Sequence, residues 1–288
     1  MFHGSMVALV TPMQHDHIDI TALQELVEWQ IVSGTQAIIA AGTTGESGTL
    51  SSDEKKQIIT AVVEQAQERV PIIAGTNAQS TKEAIVLTEQ AMHCGAHGAL
   101  IMTPAYIKPT QEGLYRHYAT IAQAVPIPII LYNVPQRTSC DLLPETVQRL
   151  AKISNIVAIK DATGDLQRLM ALQQLCADEI DIFSGDDASA LTWLLSGAKG
   201  VISVTANVLP QILRNACDLA LSGNKSAAEE WQQRLSAINK LLFAESNPIP
   251  VKWALYQLGR IRDELRMPLT SLSEDYQEPL RAALAAIN

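Results

Sequence analysis

The chain has 288 residues, of which 47% are hydrophobic and 18% charged, and a formal net charge of −9. That length buries a large core and fits one α/β barrel with an extension, or two ordinary domains. The acidic balance argues against nucleic-acid or anionic-membrane partners, and no apolar stretch approaches the ~20 residues of a membrane span.

The start, Met1-Phe2-His3-Gly4-Ser5, lacks the basic and apolar regions of a signal peptide. Cys94, Cys140, Cys176 and Cys217 are far apart and form no CxxC. Free thiols in a reducing cytosol are expected, and with them a cytoplasmic location.

Apolar runs then recur along the chain, at Met6–Thr11, Ala37–Ala40, Pro71–Ala74, Gly98–Met102, Pro128–Tyr132, Ile156–Lys160, Asp181–Phe183 and Gly200–Val204. They are near-continuous rather than alternating, the pattern of parallel strands covered on both faces. Helical patterns lie between them. Ser51-Ser52-Asp53-Glu54 reads as a capping box opening a helix to about Arg69, and Ser80-Thr81-Lys82-Glu83 opens another that stops at Gly95. Further helices are predicted over Gln111–Ala124, Pro144–Ala151, Asp165–Cys176, Asp187–Ser196 and Pro210–Ser222.

Eight such strands, with helices read after seven of them, predict a (β/α)8 TIM barrel over residues 1–223. An open doubly wound sheet is the alternative, but it usually carries a Gly-rich loop after its first strand; here Thr11-Pro12-Met13 follows. Residues 224–288 read as a C-terminal helical extension, with helices over Lys225–Phe243, Pro250–Leu258 and Glu274–Ala286.

In such a barrel the active site lies at the C-terminal ends of the strands. The residues there are Thr11, Gly42-Thr43-Thr44-Gly45-Glu46, Gly75-Thr76-Asn77, Thr103-Pro104-Ala105-Tyr106, Tyr132-Asn133, Lys160-Asp161, Ser184-Gly185-Asp186-Asp187 and Ser203-Val204-Thr205. This is a set of hydroxyls around one amine. It suits proton shuttling around a covalent amine intermediate and points to no metal or other cofactor.

Lys160 closes a buried strand, where an amine must lose its water or meet a partner. Burial favours a neutral lysine able to attack a carbonyl and form a Schiff base. The bland alternative is a salt bridge to Asp161, but adjacent residues of a strand face opposite ways. Tyr132 ends the neighbouring strand and can donate and accept protons, although a core tyrosine bonded to backbone is common. The glycines around Thr43 and Thr44 let backbone N–H groups approach a small anion, as an ordinary βα turn also would. Arg137, in the loop Pro135-Gln136-Arg137-Thr138, could grip a carboxylate by two parallel hydrogen bonds; a solvated side chain is the plain alternative. Asp186 and Asp187 read as N-caps. His15-Asp16-His17 is the nearest approach to a metal motif and motivates a metal-dependent hydrolase as a remote alternative. It lies beyond the strand end, however, and no histidine follows His117.

Together, Gly42-Thr43-Thr44-Gly45-Glu46-Ser47, Tyr132-Asn133-Val134-Pro135 and Ile159-Lys160-Asp161-Ala162-Thr163-Gly164 resemble the pyruvate-dependent Schiff-base aldolases. That family includes N-acetylneuraminate lyase and dihydrodipicolinate synthase. Met1–Ser5, Tyr132–Asp141, Ser184–Ala190, Gly200–Asn207 and Asn247–Lys252 are similar to the synthase branch, nearly end to end. Arg137 separates that branch from the sugar-acid aldolases, the alternative within the same chemistry.

The resemblance implies condensation of pyruvate with L-aspartate-4-semialdehyde to 4-hydroxy-tetrahydrodipicolinate, the first committed step of the diaminopimelate and lysine pathway. Lys160 would form the imine. Thr43, Tyr132 and Tyr106 would relay protons, Tyr106 being donated by a neighbouring subunit. Thr43 and Thr44 would bind the pyruvate carboxylate, Arg137 the semialdehyde carboxylate, and the Ile202 carbonyl would lie near the imine. The family is typically a homotetramer built as a dimer of dimers. Members inhibited by lysine hold it at the tight-dimer interface, where this chain keeps Ser47 and Glu83 but has Gln79, Ala105, Ser52 and Lys55 at altered positions. Lys55 would set a cation where a cation is received, so a vestigial site and weak or absent lysine inhibition are expected.

Overall fold

Strands packed on both faces need apolar side chains on both, and the apolar runs accordingly form the wall of a closed barrel. The computed structural model describes residues 2–176 and 178–287. The chain begins with β1 (Gly4–Ala8), a small antiparallel hairpin of β2 (Met13–Gln14) and β3 (His17–Ile18), and α1 (Ile20–Val32). Next come β4 (Ala37–Ala40), α2 (Ser52–Ala66), β5 (Ile72–Gly75), α3 (Thr81–His93), β6 (Gly98–Met102) and α4 (Gln111–Ala124). They are followed by β7 (Ile129–Asn133), the single turn α5 (Pro135–Thr138), α6 (Pro144–Leu150), β8 (Ile156–Asp161) and α7 (Leu166–Cys176). The barrel is completed by β9 (Asp181–Ser184), α8 (Ala190–Leu195), β10 (Gly200–Ser203) and α9 (Pro210–Leu221). Three helices end the chain: α10 (Lys225–Leu241), α11 (Ile249–Gln257) and α12 (Glu274–Ile287).

From β4 to β10 each barrel strand pairs in parallel with the next, and β1 closes the ring between β10 and β4. Alternation then sorts the side chains. Met6, Ile39, Ile73, Leu100, Ile130, Ala158, Phe183 and Ile202 fill the interior, with Phe2 packed among them. Val7, Ile38, Ile72, Ile101, Leu131 and Ile159 belong to the larger core shared with the surrounding helices. The predicted capping box is present: Ser51 and Glu54 each bond the other's backbone N–H at the start of α2.

The structure shifts several expected boundaries. The first strand is Gly4–Ala8 rather than Met6–Thr11, because Val10 N–H goes to the Asn207 side chain at 3.1 Å and leaves the ladder. Helix α1 has a readable start in its Asp19 cap and buries Leu23, Leu26 and Val27, yet it escaped the sequence reading. Arg137 lies on the helical turn α5, not in an open loop; Pro135 starts that turn and left-handed Ser139 ends it. The helix expected from Asp187 begins at Ala190.

Beyond α9, α10 packs on α8, α9 and α12. Among the described residues, no helix is long and apolar enough to cross a membrane.

Candidate active site

Lys160 leaves β8 at a register that pairs it with Tyr132 of β7 on one side and Phe183 of β9 on the other. Its side chain therefore enters the barrel mouth between two strands bearing rings. Lys160 is only 5% exposed, and its Nζ lies 4.3 Å from the centre of the Tyr132 ring. Among the described residues its amine has no ion pair and no hydrogen bond. Asp161 faces the other way, as strand alternation requires. Its carboxylate accepts from Asn133 Nδ2 at 2.9 Å and from Thr163 N–H and Oγ1 at 2.9 and 2.5 Å.

Above the amine is a cavity of about 480 Å³, lined among others by Thr44, Tyr132, Arg137, Lys160, Gly185 and Asn247. Arg137 donates one Nη2 hydrogen bond to the Asn247 carbonyl at 3.1 Å, which steadies the guanidinium at the rim. Its turn is held by hydroxyls: Thr138 Oγ1 donates to Cys140 O at 2.9 Å, and Thr103 Oγ1 reaches Thr138 Oγ1 at 3.1 Å. A polar chain supports the same segment from below. Asn133 Nδ2 donates to Asp141 Oδ1 at 2.9 Å, and Arg168 Nη2 donates to Asp141 Oδ2 at 2.6 Å.

The Thr43–Thr44 turn comes within reach of the next strand because Gly75 has no side chain; a Cβ there would lie 2.4 Å from Ala41 O. Thr44 is buried and lines the cavity, and its Oγ1 accepts from Asn247 Nδ2 at 3.0 Å. Thr43 is half-buried in that turn and is not among the lining residues, so the two threonines part company.

Glu46, from the same turn, forms a fully buried ion pair with Lys252 of α11, Nζ to Oε1 2.5 Å. Lys252 Nζ also donates to Thr11 O at 3.0 Å, and Arg266 N–H donates to Glu46 Oε2 at 3.0 Å. Burial pulls the Lys252 amine below the usual lysine range, and the Glu46 carboxylate opposes that pull. This pair was not foreseen. The sequence signal was an acid ending a glycine turn and a lysine inside an otherwise apolar helix start.

Asp187 overturns its expected role as a helix cap. It is buried and turned toward the end of β10, where it accepts from Ser203 Oγ and from the N–H groups of Val204 and Thr205 at 2.8 and 3.0 Å. Burial raises its carboxyl pKa, while those donors lower it. Asp186 takes the local bonds instead, accepting from Ser189 N–H at 2.9 Å and Ser189 Oγ at 2.6 Å. Asn239 of α10 completes the cluster, donating to Asp187 O at 3.0 Å and accepting from Thr205 Oγ1 at 2.8 Å.

The remaining candidates stand apart from the cavity. Ile202 is buried in the barrel interior opposite Met6. Tyr106 is 86% exposed on a turn where its φ is 70°. His15 and His17 belong to the β2–β3 hairpin, whose Asp16 is held by Arg266 at 3.1 Å. Of the residues matched to a lysine pocket, Ser47 is half-buried, while Gln79 and Glu83 are exposed. Burial lowers the Lys55 pKa, and Glu83 draws it back up.

Against known proteins, a profile of the dihydrodipicolinate synthetase family matches residues 1–287. The chain is similar to 4-hydroxy-tetrahydrodipicolinate synthase of Legionella pneumophila, 60% identical over 284 residues that cover 99% of this chain and 98% of the relative. Among solved structures it resembles the chloride-inhibited dihydrodipicolinate synthase of Acinetobacter baumannii complexed with pyruvate, with TM-score 0.98, 50% identity and 99% of each chain covered. The enzyme of Aquifex aeolicus superposes with TM-score 0.98 at 43% identity, over 100% of this chain and 98% of the other.

Proposed function

Because the chain belongs to the dihydrodipicolinate synthetase family, we propose that it condenses pyruvate with L-aspartate-4-semialdehyde through a Schiff base on Lys160. The product is 4-hydroxy-tetrahydrodipicolinate, and the reaction commits material to diaminopimelate and lysine. The observation that carries this reading is the shielded, unpaired Lys160 amine over the Tyr132 ring, in one cavity with Arg137.

In this reading Lys160 Nζ attacks the keto carbon of pyruvate, and water leaves as the imine forms. The methyl group gives up a proton to yield an enamine. Its terminal carbon bonds to the aldehyde carbon of the second substrate, whose oxygen takes up a proton. The amine of that substrate then attacks the imine carbon, and Lys160 departs as a free amine. Tyr132 stands beside Nζ, where a proton donor and acceptor is needed, and works with Thr43 and Tyr106. Thr44 receives the pyruvate carboxylate and Arg137 the semialdehyde carboxylate in a charge-assisted fork. Thr43 and the Ile202 carbonyl, which do not line the cavity, are assigned to the carboxylate and to the neighbourhood of the imine by the family resemblance alone.

Tyr106 lies outside the cavity of its own chain, so its part in the relay requires a second copy. Tyr106 and Ile107, 86% and 55% exposed on one turn, give that copy an apolar surface to cover. Leu166 and Met170 of α7 are a second exposed apolar pair, in keeping with a homotetramer built as a dimer of dimers in the cytoplasm. Lys55 beside Glu83 already supplies the cation that a bound lysine would bring, so inhibition by L-lysine is weak or absent. Strong inhibition below millimolar L-lysine contradicts that statement.

Borohydride reduction with pyruvate present tests the mechanism. A reduced pyruvyl adduct is expected on Lys160 by peptide mass, and none in Lys160→Ala. An unmodified Lys160, or an adduct elsewhere, overturns it. Turnover with N-acetylmannosamine in place of the semialdehyde would instead assign a sugar-acid aldolase.

A further inference from the structure

We propose that Gly185 is a positioning residue for Lys160: the side chain it lacks is the space through which the lysine stem reaches the cavity. The proposal rests on the reading of Lys160 as the Schiff-base lysine. Phe183 points into the barrel at the register of Lys160, and side chains alternate, so position 185 faces the same way one step nearer the mouth. Its backbone is fixed there, because Gly185 N–H donates to Asp161 O at 2.8 Å.

A Cβ at this position would lie 2.8 Å from Lys160 Cε, 3.1 Å from Lys160 Cγ and 2.8 Å from Ala162 Cβ. Two of these separations, to Lys160 Cε and Ala162 Cβ, are shorter than real Cβ contacts allow; Cε is the carbon that bears the amine, so a shift that relieves its contact moves the amine itself. Register sets Tyr132 on the other flank of the stem, its ring 4.3 Å from the amine, so a stem pushed from position 185 carries the amine off its place above that ring. The glycine is not required by the backbone. Gly164 and Gly197 have φ of +70° and +101°, whereas Gly185 lies outside the left-handed region. What the position needs is emptiness, so that the amine is held at one place above Tyr132.

The test combines kinetics with a stability cycle. Gly185→Ala is expected to slow both kcat and borohydride trapping of the pyruvate imine by about 100-fold, the scale of an ångström's misplacement, while the KM for the semialdehyde stays within about twofold. Adding Ala162→Gly removes one of the collisions and leaves the lysine collision in place, so it is expected not to restore trapping. In the stability cycle, Gly185→Ala should lower the melting temperature by at least about 4 °C more in the Lys160 protein than in Lys160→Ala, where the stem is gone.

Trapping at the wild-type rate in Gly185→Ala overturns the proposal. So does rescue by Ala162→Gly, or an equal melting loss in both backgrounds. If Gly185→Ala folds only when Lys160 is also replaced, the collision is upheld; if neither variant folds, it is refuted. Failure of the wild-type protein to trap pyruvate refutes the Schiff-base reading, while the stability cycle still decides the packing.

Discussion

Asn247 joins two parts of the cavity rim that lie far apart in sequence. Its side-chain amide donates to Thr44 Oγ1 at 3.0 Å, and its backbone carbonyl accepts from Arg137 Nη2 at 3.1 Å. Only the first of these bonds depends on the side chain. Asn247→Ala should therefore leave Arg137 tethered while freeing the Thr44 hydroxyl. The expected loss is about 1–2 kcal/mol of stability, with a rise in the KM for pyruvate of about tenfold or more. Steady-state kinetics with each substrate varied in turn check this; an effect confined to the semialdehyde contradicts it.

Arg137 should act on the second substrate alone. Arg137→Lys keeps the charge and loses the planar fork, so kcat/KM for the semialdehyde is expected to fall by about 100-fold. Imine formation with pyruvate, followed by borohydride trapping, should stay within about twofold of the wild type. Equal losses in both steps would show that Arg137 shapes the whole mouth.

The Glu46–Lys252 pair is fully buried, so breaking it from one side leaves a charge without its counter-ion. Lys252→Met is expected to cost about 3–5 kcal/mol by denaturant unfolding. Glu46→Gln combined with Lys252→Met should recover more than half of that, because both charges are then gone. Additive losses would contradict the pairing.

His117 gives a pH dependence. Burial holds its pKa at about 4, against 6.5 for a free imidazole, and Nδ1 lies 2.9 Å from Thr81 Oγ1. Above about pH 6.5 the folded and unfolded forms both carry neutral imidazole, and nothing is lost. As the pH falls from about 6.5 to 4 the unfolded chain binds a proton that the folded chain refuses. Folding then weakens by up to about 3 kcal/mol, with no further loss below pH 4. Urea unfolding of the wild type and His117→Gln across this range should show the variant's relative stability improving as pH falls. Parallel curves would remove His117 from the account.

What could be read in the sequence follows the range of each interaction. Apolar runs and a capping box are local patterns, and they placed the barrel and most of its helices. Lys160 was visible because a lysine ending an apolar strand is costly wherever the chain goes, and Tyr132 because the adjoining strand ends level with it. The partners of Glu46, Asp187 and Asn247 were not visible. Glu46 meets Lys252 at a separation of 206 residues, Asn247 meets Thr44 at 203, and Asp187 turns toward Ser203 instead of its own helix. Glu46 in a turn and Asp187 as a cap each had a local reading that was adequate without the distant partner, and Asn247 carried no local signal at all. Thr43 and Thr44 show a finer limit: adjacent, alike in chemistry, and separated only by which one the turn directs into the cavity.

The dependence of the Thr43–Thr44 turn on Lys252 and Asn247 also bears on synthesis. A ribosome releases the chain from its first residue onward, and every barrel strand has emerged before α11 exists. Until then Glu46 has no counter-ion and Thr44 Oγ1 no amide. The nascent barrel can close its ring of strands, but its mouth stays unfastened until the last quarter of the chain arrives. Premature termination after α9 should therefore yield a protein that collapses around its strands yet traps no pyruvate.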